Sequence, residues 1–413
     1  MERSVIPERP RLRRVEAFPV TTDGHQMICL RDPSHVTEAV LMFPPPVLQI
    51  VAALDGEHTV LDIQEAETRR LGRLIYREEI ERLIRTLDEH LFLEGQALDA
   101  ARRAQAEAFR QSPVRRAFHA GKAYEADPTA LRTWMDSFFA HPDGPGPIRP
   151  DRGGSRLTAV VAPHIDFHRG GPAYAWAYKT LAEAKPADLY VLLGTCHAGL
   201  DGPFALTLKP YDTPFGPLPV DHDFAEALSR RSGLDLFRGE LGHRTEHAIE
   251  FQAVFLQYLF AGRREIRAVP ILASFLHELM VTGKHPAQEP DVQRFIDALG
   301  ETLASWPGRV CLVAGVDLAH VGPRFGDPAP VTDATLRQVG EEDLAMLAHV
   351  AAGDAEGFYQ SVARDGDQRR ICGLSPIYTL LRVVEGPGTL LKYAQWPDPQ
   401  GTVTFASLSY SRT

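Results

Sequence analysis

The sequence has few cysteines, no long apolar run and no excess of basic residues. Its four cysteines show no CxxC spacing, which argues against a zinc ribbon and offers no disulfide framework; they are Cys29, Cys196, Cys311 and Cys372. No apolar stretch approaches the length of a membrane-spanning helix, and the N-terminal residues show no hydrophobic signal-peptide region. We therefore expect a cytoplasmic protein with reduced cysteines and no membrane partner.

The charge balance excludes another class of partner. The 413 residues include 44 Lys and Arg against 54 Asp and Glu, which gives a formal net charge of −10. A general nucleic-acid binder would show a basic face, so we expect no nucleic-acid partner. The content of 44% hydrophobic and 24% charged residues is typical of a globular protein, and the length suffices for two or three domains.

The first part of the chain, residues 15–98, predicts a small domain of its own. Short elements follow one another there: a strand at Met27–Leu30, helices at Val47–Leu54, Val60–Leu71 and Tyr76–Glu89, and a returning strand at Leu91–Leu93. Three small helices with a terminal hairpin are typical of a winged-helix-like module, and the pattern resembles the small peptide-binding domain of the PqqD type. Residues 99–113 predict a helical linker.

The remaining residues, 114–413, predict a large α/β domain. Apolar strand patterns lie at 157–161, 189–193, 266–272 and 310–314, and helical patterns lie near 172–184, 222–231, 246–260, 291–305 and 335–350. Strands that alternate with helices are typical of an α/β fold with a largely parallel central sheet flanked by helices.

Two histidines follow two of these strands. Pro163-His164 comes after the first strand, and His197 comes after the second. Ligand sites of α/β folds lie at the carboxyl ends of the strands, so the pair predicts a metal or catalytic site, against the alternative of ordinary loop histidines. Asp166 and His168 alternate with His164. They share its face if the strand continues, and only His164 is well placed if the chain has become a loop.

Two further clusters add candidates for the same site. His247 begins a helical pattern between Glu246 and Glu250, and a histidine flanked by carboxylates suits a general acid or base. Asp317 and His320 follow the last strand pattern. Imidazole and carboxylate ligands from several strand ends suit a mononuclear centre of Fe(II), Zn or Cu.

Short motifs in these regions resemble those of the Memo family, in particular the bacterial AmmeMemoRadiSam system protein B type. They occur in that family's order over residues 114–411: Pro163-His164, Gly194-Thr195-Cys196-His197, Tyr211-Asp212-Thr213-Pro214-Phe215-Gly216, Glu246-His247-Ala248-Ile249-Glu250-Phe251-Gln252, Val269-Pro270-Ile271-Leu272, Asp317-Leu318-Ala319-His320, Cys372-Gly373 and Tyr393-Ala394-Gln395.

The resemblance implies a fold related to the class III extradiol dioxygenases, in which two histidines and a carboxylate hold Fe(II) and a further histidine is the acid–base. By that likeness His164 and His197 are metal ligands, and His247 is the acid–base beside them. Glu246 and Asp166 complete the candidates for a catalytic role.

The third ligand departs from the family's pattern. Animal Memo proteins offer a cysteine there, and Ala319 occupies that position in this sequence. Asp317, His320 and Asp166 are the alternatives, of which we take His320 first.

The resemblance predicts a mononuclear metal-dependent redox enzyme, with Fe(II) or Cu, acting on a small molecule or a peptide. Zinc-dependent hydrolysis would use the same ligands and stays open. The other alternative is a non-catalytic scaffold that binds a ligand or a partner. In that case the small domain would hold a peptide, and the family's association with a radical-SAM protein implies such a partner.

Overall fold

A computed structural model of the protein describes residues 6–149 and 156–412. The chain divides into two compact units, with the boundary between Ser112 and Pro113. Within the described ranges, no helix is both long enough and apolar enough to cross a bilayer.

The described residues of the smaller unit form an antiparallel sheet and four helices. Its strands pair in the order β1-β2-β3, and its elements are β1 Glu16–Thr22, β2 His25–Arg31, β3 Val40–Phe43, α1 Val47–Ala52, α2 Val60–Leu71, α3 Arg77–Glu89 and α4 Gln96–Gln111. The predicted helices are therefore present, but the hairpin precedes them. The predicted returning strand at Leu91–Leu93 is wrong, because Leu93 forms only one isolated bridge, with Leu12.

Local sequence signals explain the helices of this unit. The Thr59 hydroxyl accepts from the Asp62 N–H and caps α2, and Gly72 ends that helix in a left-handed conformation with φ of 64°. Helix α3 buries Ile80, Ile84 and Leu87 on one face. The stretch 99–113, for which the sequence predicts a linker, falls mostly in α4.

The described part of the larger unit contains eight strands and nine α-helices. The strands are β4 Arg156–Ala162, β5 Leu189–Thr195, β6 Phe204–Leu206, β7 Arg267–Ala273, β8 Val310–Gly315, β9 His320–Val321, β10 Gly388–Trp396 and β11 Thr402–Arg412. The helices are α5 Pro128–Ala140, α6 Phe167–Glu183, α7 His222–Ser232, α8 His247–Phe260, α9 Leu276–Thr282, α10 Pro290–Ser305, α11 Asp333–Ala352, α12 Ala355–Ala363 and α13 Leu374–Val383.

These strands form one mixed sheet in the order β10-β11-β4-β8-β5-β7-β6, and β9 pairs with β11. Its centre, β4-β8-β5-β7, is parallel, which confirms the predicted α/β class with a central sheet flanked by helices. The strands outside this centre pair antiparallel, and none of them is among the strands predicted from the sequence.

Each central strand buries both of its faces, which is why these strands appear as continuous apolar runs in the sequence. Along β4, Val160 packs into the core beneath α5, α6 and α8, while Val161 packs into the core on the opposite face. Helices α7, α10 and α13 contribute to that second core. The sheet is therefore the middle of three layers, and the carboxyl ends of its parallel strands meet at one edge.

Two glycines at that edge let helix α8 approach the sheet. Gly194 at the end of β5 pairs in register with Gly315 at the end of β8. A Cβ on Gly194 would lie 2.7 Å from the Ile249 side chain, and one on Gly315 would lie 2.5 Å from the Ala248 carbonyl oxygen. Because neither position accepts a side chain, the first turn of α8, with His247, reaches the strand ends.

Candidate metal centre

Three histidines from three different segments converge at the strand ends. His164 follows β4, His197 follows β5, and His247 is the first residue of α8. Each offers one side-chain nitrogen, and these nitrogens lie within 4.8 Å of one another. The ring centroids are 4.7–5.1 Å apart. We refer to these residues as the three-histidine group.

In two of these rings, hydrogen bonds determine which nitrogen carries the proton and which keeps the lone pair. His164 Nδ1 lies 3.0 Å from the Gly315 carbonyl oxygen, which only accepts, so Nδ1 carries the proton. His197 Nδ1 donates to the Glu246 carboxylate at 3.0 Å. Both rings therefore keep the lone pair on Nε2, which is the arrangement that second-sphere acceptors impose on metal-binding histidines.

Glu246 ties two members of the group together. Its carboxylate caps α8 by accepting from the backbone N–H groups of His247 and Ala248, and it also accepts from the backbone N–H of His197. Its Oε1 lies 3.2 Å from His247 Nδ1. Glu246 is thus a positioning residue for both imidazoles rather than a member of the group.

The electrostatic surroundings favour neutral imidazoles at two of the three positions. Burial lowers the pKa of His164 to about 3 and holds the pKa of His247 well below its ordinary value. Burial also opposes the charge of His197, but the Glu246 carboxylate outweighs it and raises the pKa of His197. Neutral imidazole is the form that binds metal.

The group is open on one side. The His164 side chain is 2% exposed, whereas those of His197 and His247 are 39% and 32% exposed. Catalytic metal sites combine three protein ligands with an open position for water or substrate, and this exposure provides such an opening.

The residues after β8 surround the group without joining it. Asp317 accepts from the His164 backbone N–H at 2.9 Å, and one of its carboxylate oxygens lies 3.8 Å from His164 Nε2. Burial raises the pKa of this carboxyl to about 6. His320 Nδ1 faces the Leu318 carbonyl oxygen, and its ring packs edge-on against Phe325. The histidine that joins His164 and His197 is therefore His247, not the predicted His320.

The remaining candidates have other contacts. The strand ends before Asp166, which caps α6 by accepting from the Arg169 N–H and pairs with the Arg169 side chain. His168 is exposed on that helix. Of the two alternatives for this motif, the loop is therefore the one observed, and only His164 reaches the site.

Glu250 connects the first turn of α8 to the segment 115–124. Instead of facing His247, its carboxylate forms a fully buried ion pair with Arg115 and accepts from the backbone N–H of His119 and the hydroxyl of Tyr124. The Arg115 guanidinium also donates to the Glu246 carbonyl oxygen at 2.7 Å. The segment 115–124 is thereby fixed against the first turn of α8, and the His119 ring packs edge-on against His247.

One residue of chemical interest near the group, Cys372, is not among the site residues predicted from the sequence. Cys372 lies in the loop before α13, and its Sγ is 3.1 Å from His164 Nε2. The Cys372-Gly373 motif was the available signal, but it lies 208 positions from His164 and no spacing rule connects the two. Cys196, next to His197, is buried and its Sγ contacts the Gly199 carbonyl oxygen instead.

A cavity of about 450 Å³ opens beside the group and is bordered by His197 and Cys372. Its wall is apolar at Leu200, Phe275 and Leu374, and its ionisable side chains are His277, Glu278, Asp367 and Arg370. Apolar walls with a few polar groups are typical of small-molecule sites. A larger cavity, of about 670 Å³, lies between α5 and the end of α8 and touches none of the three histidines.

Replacing Asp367 with asparagine is expected to stabilise the larger unit at neutral pH. Burial raises the pKa of this carboxyl from 3.8 to about 6, so the folded protein binds more protons than the unfolded chain between these values. This carboxyl therefore makes the wild type lose up to about 3 kcal/mol of stability as the pH rises through about 6. Asp367→Asn lacks this contribution but keeps that of Asp317, whose pKa is raised as well. Urea unfolding at pH 4 and pH 7 measures this difference.

The matched control is Asp201→Asn, because the Asp201 side chain is 75% exposed. Its effect should stay within about 0.5 kcal/mol at both pH values. An Asp367→Asn effect that is the same at pH 4 and pH 7 would contradict the raised pKa.

The chain is similar to proteins of one known family. Residues 115–412 match the model of a family described as "Memo-like protein". The chain is 26% identical over 375 residues to a MEMO1 family protein of Aquifex aeolicus, with 91% of each chain covered. It is 30% identical to one of Methanopyrus kandleri, covering 71% of this chain and 97% of the relative. A Thermus thermophilus relative is 28% identical, with 81% and 93% covered.

Proposed function

Because this chain belongs to the family of Memo-like proteins, we propose that it is a mononuclear metal-dependent redox enzyme whose ion is held by His164, His197 and His247. The observation that carries the proposal is the convergence of three side-chain nitrogens within 4.8 Å. Two of the rings have their Nδ1 proton engaged by an acceptor, so the lone pair that could bind a metal is on Nε2; on His164 this nitrogen contacts Cys372 Sγ at 3.1 Å. This donor set fits a transition metal, since imidazole ligands suit Fe, Cu and Zn.

A bound iron or copper ion would supply redox chemistry and polarise a substrate oxygen. The chain's own residues would orient the ligands and bind the substrate. Glu246 holds the His197 ring, and the Gly315 carbonyl holds the His164 ring, so that neither has to reorient when substrate arrives. The exposed edges of His197 and His247 leave an approach from solvent. The neighbouring cavity, with its apolar wall, would bind a small molecule and exclude water from part of the site.

The likeness to class III extradiol dioxygenases belongs to the same proposal. In that arrangement His247 would act as acid–base beside the ion instead of binding it. Its first-turn position on α8 suits either role. Its lowered pKa favours a metal ligand, which must be a neutral imidazole, whereas a general acid–base works best with a pKa near the working pH. The radical-SAM and peptide partners implied by the resemblance stay predictions.

Metal analysis of protein purified without added metal tests the proposal. We expect one iron or copper ion per chain, and we expect the His164→Ala/His197→Ala variant to lose it, because two of the three nitrogens are gone. His168→Ala is the matched control: His168 is an exposed histidine four positions from His164, and its removal should leave the metal content unchanged.

The other outcomes separate the alternatives. Wild-type protein without metal would contradict the proposal and favour the scaffold, and zinc alone would favour hydrolysis. A His247→Ala variant that keeps its metal but loses activity would assign His247 the acid–base role, whereas loss of the metal would make it a ligand.

A further inference from the structure

The cavity beside the three-histidine group has a buried carboxylate in its wall. Asp367 lies in the loop between α12 and α13, and its side chain is 3% exposed. Its Oδ1 accepts from the Ile371 N–H at 2.8 Å, but no residue in the described part of the chain donates a hydrogen bond to Oδ2. His277 Nδ1, at 3.9 Å from Oδ2, is beyond hydrogen-bond distance. This oxygen can therefore accept from a ligand in the cavity.

An aspartate is an unfavourable residue for stability at this position. Asp367 adopts φ of 57°, in the left-handed region that glycine enters most easily. Burial raises the pKa of its carboxyl to about 6, so its charge opposes folding at neutral pH. An asparagine would keep the contact with the Ile371 N–H without that charge. Buried charges that lower stability in this way are typical of functional sites.

The charges around the cavity favour a cationic ligand. Arg370 is the only lysine or arginine among the described residues that line it. The Arg370 guanidinium already donates to the Asp327 carboxylate and to the His320 carbonyl oxygen. Glu278, exposed at the rim, adds a second carboxylate to that of Asp367, and no described lysine or arginine forms an ion pair with either. Two such carboxylates attract a positively charged ligand and repel an anion.

We propose that the substrate bound in this cavity is a small molecule with a primary amine, whose ammonium group donates to the Asp367 carboxylate. Its apolar part packs against the wall formed by Leu200, Phe275 and Leu374. A charge-assisted hydrogen bond is stronger in such a partly buried site than in water. Because His197 borders the same cavity, the amine contact fixes which end of the substrate faces the three-histidine group. The inference rests on the proposed function for the reaction, but the amine contact itself needs no metal.

Calorimetric titration with phenethylamine tests this inference, because the compound is an ammonium ion at neutral pH and has an apolar ring. We expect Asp367→Asn to weaken its binding about 10–100-fold, since the substitution removes the charge of the contact and keeps the fold. The neutral analogue phenethyl alcohol should bind wild type and Asp367→Asn equally weakly. Glu278→Gln is the matched control: Glu278 borders the same cavity but is exposed, so we expect less than about a threefold change.

Equal phenethylamine affinities for wild type and Asp367→Asn, or an equal loss in Glu278→Gln, would overturn the contact with Asp367. No binding by the wild type would overturn the amine as the ligand class. The His164→Ala/His197→Ala variant separates this inference from the metal site, and we expect it to bind phenethylamine as the wild type does. Loss of binding in that variant would show that the amine binds the ion instead. If the wild type holds no metal but binds the amine through Asp367, the metal proposal fails and the amine site stands.

Discussion

Replacing Arg115 with alanine is expected to lower the free energy of unfolding of the larger unit by about 3–5 kcal/mol. The Arg115 side chain is fully buried, and its guanidinium donates to the Glu250 carboxylate and to the carbonyl oxygens of His243 and Glu246. Its removal leaves the Glu250 charge buried without a cation and leaves two buried carbonyl groups without this donor. Each of these changes costs free energy because a buried charge or a buried carbonyl group loses its partner in the protein.

Tryptophan fluorescence in a urea titration measures this effect on the larger unit alone. All four tryptophans of the chain lie beyond the boundary at Ser112 and Pro113: Trp134, Trp176, Trp306 and Trp396. The fluorescence signal is therefore insensitive to unfolding of the smaller unit. The titration then follows one transition, which can be fitted with a two-state model.

Arg116→Ala is the matched control, because Arg116 is the exposed neighbour of the buried arginine. We expect it to change the free energy of unfolding by less than about 0.5 kcal/mol. A double variant, Arg115→Met/Glu250→Leu, should recover part of the loss, since it removes the unpaired charge. An Arg115→Ala protein as stable as the control would show that the ion pair does not hold the segment 115–124.

Replacing Glu246 with glutamine is expected to weaken metal binding about 10–100-fold with only a small loss of stability. Oε1 of Glu246 accepts from the N–H groups of His247 and Ala248, and a glutamine carbonyl can keep both contacts. Oε2 accepts from the His197 backbone N–H and shares the His197 Nδ1 proton with Oε1, and the NH₂ group of glutamine can accept neither. The substitution therefore places a donor against these two N–H groups and removes the negative charge beside the His197 ring, while the helix cap stays.

Isothermal titration with Co²⁺ gives the affinity, and urea unfolding gives the stability of the same samples. Glu246→Ala should lower both the Co²⁺ affinity and the free energy of unfolding, the latter by about 1 kcal/mol because the helix cap is missing. Glu240→Gln is the control, because Glu240 lies in the preceding turn and its carboxylate accepts from Thr207, away from the histidines. Equal Co²⁺ affinities for wild type and Glu246→Gln would show that Glu246 acts only as a helix cap.

Most elements of the larger unit could be predicted from local patterns. The four parallel strands are apolar runs because both of their faces are buried, and their ends differ from prediction by one or two residues. Helix α7 follows its capping residue Asp221 and ends at Gly233. The antiparallel edge strands were missed because β10 is mostly half-buried and β6 has only three residues. Such strands carry little periodicity.

Part of the candidate site could also be predicted. Two imidazoles at strand ends were predicted from Pro163-His164 and from the stretch Gly194 to His197. Parallel strands bring their carboxyl ends to one edge of the sheet. The sequence alone could not distinguish among the other polar residues nearby. Asp166, Glu250 and His320 share the composition of metal and catalytic sites, yet each has a different hydrogen-bond partner in the folded protein.

The sequence by itself determined the α/β class, the parallel core strands and the two histidines at their ends, because these depend on hydrophobic runs and on residues adjacent in the chain. Only the tertiary structure decided the rest of the site. His247 reaches the strand ends because Gly194 and Gly315 let α8 pack against bare backbone. Cys372 meets His164 across 208 positions. Such contacts are set by the packing of whole elements, which no local pattern encodes.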